Sequence, residues 1–65
     1  MKSTLLRSVG YEEHRQTLEV EFSDGDVYAY QGVPSHVHRS LLAAKSIGGY
    51  FNKEIRLSYM FSQVS

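Results

Sequence analysis

The chain has 65 residues, 42% of them apolar, and its seven Lys and Arg residues balance its seven Asp and Glu residues. This length allows one domain of marginal stability, because a chain of this size buries only about 60% of the surface that its unfolded form exposes. It excludes a dinucleotide-binding fold and a barrel enzyme. The zero net charge excludes a strongly basic nucleic-acid binder but leaves room for a local basic patch.

Cysteine is absent, which excludes disulfides, thiolate zinc sites and cysteine catalysis. A small domain that folds without disulfides suits a reducing compartment, so we expect a cytoplasmic protein. The start of the chain lacks an apolar run of signal-peptide length, and no window approaches the roughly 20 apolar residues of a membrane span. We therefore expect no membrane contact.

Two strands are predicted in the first third of the chain. Residues 5–11 read as the first strand, in which Gly10 marks a bulge or a close backbone approach. Residues 17–22 form the clearest element, because Leu, Val and Phe alternate with two glutamates. This alternation indicates a strand with one buried face and one solvent face.

A third strand at residues 27–30 follows a turn, and the length of that turn decides where its two tyrosines lie. A three-residue loop pairs Val20 with Tyr28 and Leu18 with Tyr30, which buries both tyrosines and puts the loop glycine at its left-handed position. A two-residue loop puts them on the solvent face instead, as a base-stacking platform. We favour the first register because a small core needs the apolar area of two tyrosines.

Two helices are predicted after the strands. The first opens at Pro34, with Ser35 as cap, and runs to about Lys45. It turns a stripe of Val37, Leu41 and Ala44, flanked by Leu42, toward the sheet.

The second helix begins after Ser46 as N-cap and covers residues 47–54, although two glycines weaken it. Its expected buried side consists of Ile47, Tyr50, Phe51 and Ile55. The predicted fold is therefore α+β, a three-stranded antiparallel β-meander followed by two short helices packed on one face.

We place the domain at residues 1–56 and treat residues 57–65 as a separate C-terminal tail. The tail is apolar with partial alternation, so it is an added edge strand, a packed arm or a dimer contact. If it is extended, Leu57, Tyr59 and Phe61 share one side and cover the sheet edge or a neighbouring chain.

About a dozen spaced residues together resemble the KTSC domain family: Thr17-Leu-Glu-Val-Glu-Phe22, Gly25, Tyr28-x-Tyr30, Val33-Pro34, Leu41-Leu42-x-Ala44, Ser46-x-Gly48, Phe51-Asn52 and Ile55-Arg56. The resemblance covers residues 3–56, and the family is named for a domain at the C-terminus of some lysyl-tRNA synthetases. It implies a small, mostly bacterial domain, whose central Tyr-x-Tyr is Tyr28 and Tyr30, and the synthetase context implies RNA binding. It transfers no catalytic residues.

No pattern in the chain is typical of an enzyme or a metal site. His36 and His38 are two residues apart and point about 200° apart on a helix, so we interpret them as exposed helix histidines and expect no metal. The serines form no nucleophile elbow. We expect neither catalysis nor a cofactor.

A corner formed by Ser46, Gly48 and Gly49 allows two interpretations. Free backbone N–H groups at a helix start bind phosphate, and Lys45, Lys53 and Arg56 flank the corner in sequence. Alternatively the glycines allow close packing at a tight corner, which we favour.

Charge is divided between the two halves of the chain. Residues 1–30 hold three basic and six acidic residues, net −3, and residues 31–65 hold four basic residues and one acidic residue, net +3. The sequence therefore predicts an RNA-binding accessory module with a basic helical face made of Arg39, Lys45, Asn52, Lys53 and Arg56. The alternative is a protein-interaction or self-association module that uses residues 57–61, through Leu57, Tyr59, Met60 and Phe61.

Overall fold

The computed structural model describes residues 6–65, which form one antiparallel sheet with helices on one face. Strands β1 (Leu6–Glu12), β2 (Thr17–Phe22) and β3 (Val27–Tyr30) form the predicted meander. Strand β4 (Phe61–Gln63) then pairs with β3, and the sheet order is β1-β2-β3-β4. The α+β class is confirmed. The count of three strands is wrong, because the tail supplies a fourth at the edge.

Helix α1 (Ser35–Ala43) and helix α2 (Ile47–Tyr50) connect β3 to β4. The second helix continues directly into one π-helical turn (Phe51–Ile55), in which the Arg56 N–H donates to the Phe51 carbonyl at 2.9 Å. Phe51 and Ile55, four residues apart on this segment, both reach the core with no exposed surface.

The hairpin between β2 and β3 has the predicted three-residue loop. Leu18 pairs with Tyr30 and Val20 with Tyr28. The N–H of Gly25 donates to the Phe22 carbonyl at 2.9 Å, and Gly25 has φ 97°, a backbone conformation that suits glycine. The register that turns both tyrosines toward the helices is confirmed.

Strand β1 is regular at Gly10, contrary to the sequence prediction. Gly10 pairs with Glu19, and a Cβ added there would meet no atom within 4 Å. The register shift lies instead between Leu6 and Ser8. Val9 and Tyr11 both pack against the core, so the strand must keep its two-residue period around Gly10. The predicted strand also included Leu5, which lies outside the described residues.

Helix α1 begins and ends slightly differently from the prediction. Pro34 is the N-cap, Ser35 is the first helical residue and makes no capping bond, and the Pro34 carbonyl accepts the N–H of Val37 at 3.0 Å. The helix ends at Ala43 because Ala44 is extended, with ψ 147°. The predicted stripe is narrower than expected: Leu41 is fully buried and Val37 half-buried.

The core lies between the sheet and the helices. Phe51 is at its centre, with ring centroids 5.6 Å from Phe22 and 5.2 Å from Tyr30. Tyr30 is 3% exposed, whereas Tyr28 is half-buried at the rim. The fully buried side chains are those of Leu18, Val20, Val33, Leu41, Phe51 and Ile55.

Val33 joins two distant parts of the chain. Its N–H donates to the Gln16 carbonyl at 2.8 Å, and its own carbonyl accepts the Tyr11 hydroxyl at 2.6 Å. Gln16 is the non-glycine residue with positive φ in the described chain, at 52°. These two hydrogen bonds hold the segment between β3 and α1 against the turn end of the β1–β2 hairpin.

Candidate functional site

The basic helical face lies entirely at the surface. Its side chains come from α1, the connection after α1, the π-helical turn and the residue that follows it. All of them are exposed: Arg39, Lys45, Asn52, Lys53 and Arg56. Exposed cations on a helical layer are available to bind an anionic partner.

Two of these residues touch each other. Arg56 Nη1 donates to Asn52 Oδ1 at 2.9 Å. Residues 52 and 56 are four apart on one helical segment, a spacing that brings side chains together on the outer side, while Phe51 and Ile55 are directed inward. The amide thus orients the guanidinium and leaves its remaining N–H groups at the surface.

Two arginines of the basic helical face act on tyrosines of the sheet. Partial burial raises the pKa of Tyr30, and the Arg56 guanidinium opposes that shift. Partial burial also raises the pKa of Tyr11, where the Glu13 carboxylate adds to the shift and Arg39 opposes it.

The aromatic side chain of Phe61 lies beside the helical layer, a position that the sequence did not predict. Its ring stacks on Tyr30 with centroids 5.1 Å apart, and it remains 52% exposed. Its position depends on pairing between β4 and β3, and partial alternation in the tail was the only sequence signal for that pairing. Leu57 does not share its side as predicted, because it lies before the strand in a turn and is 91% exposed.

The two helix histidines differ from each other. His36 is exposed as predicted, but His38 is half-buried and stacks on Tyr11 with ring centroids 4.5 Å apart. The prediction of an exposed His38 is wrong because α1 crosses above β1. Within residues 6–65, no group of three or more metal-ligating side chains comes together.

The corner at the start of α2 is capped from within. Ser46 is the N-cap, as predicted, and its Oγ accepts the Gly49 N–H at 3.1 Å. A Cβ added at Gly49 would lie 3.0 Å from that Oγ, so the absence of a side chain makes room for the cap. Gly48 is half-buried.

Removing this cap is expected to weaken the second helix. We expect Ser46→Ala to lower the free energy of unfolding by about 1 kcal/mol, because the Gly49 N–H loses its acceptor. Urea unfolding followed by circular dichroism measures the change. Ser46→Asn, which keeps a capping oxygen, serves as the control, and equal losses in both variants would contradict a capping role.

The opposite face of the sheet is acidic. Glu19 is exposed there, and Glu21 accepts the Ser8 hydroxyl at 3.1 Å and lies 3.8 Å from Arg7. Shallow depressions on this face are lined by Glu12, Glu19 and their neighbours, which include Arg15. The domain therefore has a basic layer of helices and an acidic open sheet.

A sequence comparison with known families matches the KTSC domain over residues 2–59. The chain belongs to the KTSC domain family. The resemblance seen in residues 3–56 is thus confirmed. Within the part of the chain that the structure describes, no helix combines the length and apolar character needed to cross a bilayer.

Relatives of this KTSC domain occur alone and inside longer proteins. An uncharacterized protein of Stutzerimonas stutzeri is 49% identical over 53 residues, which are 82% of this chain and 75% of that protein. A lysine–tRNA ligase of Nostoc punctiforme is 39% identical over 64 residues, 98% of this chain but only 11% of the ligase. The crystal structure of a KTSC domain protein from Yersinia pestis matches all of this chain and 92% of that chain, with TM-score 0.88 and 29% identity.

In this KTSC domain the Tyr-x-Tyr pair serves the core. Tyr30 packs on Phe51, and Tyr28 contacts Phe22 edge to face at 5.5 Å. Neither tyrosine lies on the open face of the sheet, where a stacking platform for bases would need them.

Proposed function

We propose that this KTSC domain is a non-catalytic accessory module that binds RNA through the basic helical face. The observation that carries the proposal is the one-sided distribution of exposed charge. Residues 31–65 contribute four basic residues against Glu54 alone, and the open sheet carries the glutamates. An RNA backbone would be attracted to the helical layer and repelled by the sheet.

The relationship to lysine–tRNA ligases supports RNA as the partner. Nearly the whole chain matches about a tenth of the Nostoc punctiforme ligase, and a second ligase, from Trichormus variabilis, matches over the same length at 38% identity. A tRNA ligase acts on RNA, so a domain carried inside it is well placed to contact that substrate. The same chemistry would operate in this chain, in the cytoplasm.

Binding would rest on phosphate contacts rather than on base reading. Lys45, Lys53 and Arg56 are exposed cations, and Asn52 holds the Arg56 guanidinium in place. Phosphate contacts release counterions and carry no sequence information. We therefore propose binding without sequence specificity and with a steep dependence on salt.

Charge reversal on the helical layer tests this function. Fluorescence anisotropy with labelled tRNA and with a single-stranded RNA would be measured between about 50 mM and about 200 mM salt. We expect the wild type to bind at the low end and to weaken steeply as salt rises. Lys53→Glu combined with Arg56→Glu is expected to lower the affinity at least about tenfold, since two attractive contacts become repulsive.

The matched control changes the net charge equally on the other side of the molecule. Arg7→Glu combined with Arg15→Glu reverses two exposed cations that belong to β1 and the β1–β2 turn. This variant should retain RNA binding. Absence of binding by the wild type at about 50 mM salt, or an equal loss in both variants, would contradict the proposal.

A further inference from the structure

The edge formed by β4 carries most of the exposed apolar surface of the described chain. The large apolar side chains that are exposed in residues 6–65 number five, and all except Leu42 belong to residues 57–64. Met60 is 79% exposed and Val64 53%. Residues 57–65 contain no charged residue and no proline, two of the features that protect an edge strand from pairing.

The pairing with β3 determines which peptide groups of β4 face outward. The Val64 N–H donates to the Val27 carbonyl at 2.8 Å, and the Met60 carbonyl accepts the Gln31 N–H at 2.8 Å. Because the N–H and C=O groups of successive residues in a strand point to opposite sides, those of residues 60, 62 and 64 point toward β3. The N–H and C=O groups of Phe61 and Gln63 therefore point away from the sheet.

This edge is complementary to itself. Two copies of β4 can run antiparallel about a twofold axis that passes beside Ser62. The outward N–H and C=O groups of Phe61 then bond to those of the partner's Gln63, and the groups of Gln63 bond to those of the partner's Phe61. On the open face Met60 then lies opposite the partner's Val64. Ser62 faces the partner's Ser62 in the close, non-hydrogen-bonded position, where small side chains fit.

We propose that this KTSC domain forms a reversible homodimer by pairing β4 with β4 of a second copy in this register. The edge fits a second copy of itself. In the antiparallel arrangement the apolar Met60 meets the partner's apolar Val64, and the small Ser62 meets the partner's Ser62. An uncharged strand offers no complement to a nucleic acid or to a charged peptide. The domain has zero net charge, so long-range repulsion does not oppose its association.

The dimer joins two four-stranded sheets into one. Since the twofold axis is perpendicular to the sheet, the helical layers of both copies lie on the same side. The inference goes beyond the proposed function and does not depend on RNA. If both hold, the dimer presents two basic helical faces to one RNA, and binding gains from effective concentration.

Sedimentation velocity without RNA, from about 10 µM to about 1 mM protein, tests the proposal. We expect a dimer that accumulates with concentration and does not weaken as salt rises, because burial of apolar surface drives it. A wild type that stays monomeric throughout this range would overturn the inference.

Charge pairs test the register itself. Met60→Lys with Val64→Lys, and separately Met60→Glu with Val64→Glu, place like charges opposite each other, so each variant should dimerise at least about tenfold more weakly. An equimolar mixture of the two should recover a heterodimer that salt weakens. A mixture that remains monomeric would overturn the register.

The matched control is Leu42→Lys, which changes a side chain with 52% exposure on α1. It should leave the wild-type dimer intact. If Leu42→Lys weakened the dimer as much as the β4 variants do, the interface would not lie at β4. Circular dichroism of every variant confirms that the domain is folded.

Discussion

Phe51→Ala is expected to unfold a large fraction of the molecules at 25 °C. The Phe51 ring has no exposed surface and meets Phe22 and Tyr30 edge to face. Truncating a fully buried phenylalanine removes its transfer free energy and leaves a cavity, which together cost about 3–5 kcal/mol. At about 0.05–0.15 kcal/mol per residue, that loss is comparable with the whole stability of so short a chain.

Urea and thermal unfolding followed by circular dichroism measure this loss. The matched control is Phe61→Ala, in which a phenylalanine with 52% exposure is truncated at the sheet edge. We expect the control to lose less, about 1 kcal/mol, because about half of its surface is already in contact with water. A similar loss in both variants would mean that Phe51 is not the centre of the core.

Tyr30→Ala is expected to cost roughly 2–4 kcal/mol. Tyr30 is 3% exposed and lies between Phe51 and Phe61, with ring centroids 5.2 and 5.1 Å away. Removing it opens the core at the place where the π-helical turn rests on the sheet. Tyr30→Phe keeps the ring and should retain most of the stability.

The same variants separate a core role from a base-stacking role. Thermal unfolding and RNA anisotropy would be measured on Tyr30→Ala, Tyr30→Phe and the double variant Tyr28→Ala with Tyr30→Ala. A core role predicts a large drop in melting temperature for both alanine variants and unchanged RNA binding for Tyr30→Phe. If the double variant kept its melting temperature and lost RNA binding, the tyrosines would be a stacking platform instead.

The strand register could be predicted because two independent requirements agree. Gly25 suits the left-handed position of a three-residue loop, and burying Tyr30 supplies core area that Ala29 does not. Alternation in β2 also places Leu18 and Val20 in the core, where both are fully buried. The residues of a turn and the alternation of apolar and polar side chains can be read directly from a sequence, so features that depend on them can be predicted.

Other features depend on contacts between distant residues and were not predictable. No residue pattern in the sequence signals the π-helical turn at Phe51–Ile55. The stacking of His38 on Tyr11 depends on where α1 crosses β1. Strand β4 has only three residues, too short for its alternation to distinguish a strand from an arm.

The candidate site also has one part that the sequence predicts and one part that it does not. Sequence alone shows that six of the seven acidic residues lie before residue 31, which leaves the second half of the chain with net positive charge, because charge can be counted along the chain. It does not show that Asn52 orients Arg56: the four-residue spacing allows that contact on a helix, but the sequence does not reveal that the hydrogen bond forms. The RNA-binding role of these residues stays a prediction.

The two hydrogen bonds of Val33 determine how the domain comes apart. They join residues 17 positions apart, Gln16 and Val33, and residues 22 positions apart, Tyr11 and Val33. Opening the turn end of the β1–β2 hairpin must break these bonds, and so must release of the segment that leads into α1. We therefore expect the amides of both parts to become accessible to hydrogen exchange together.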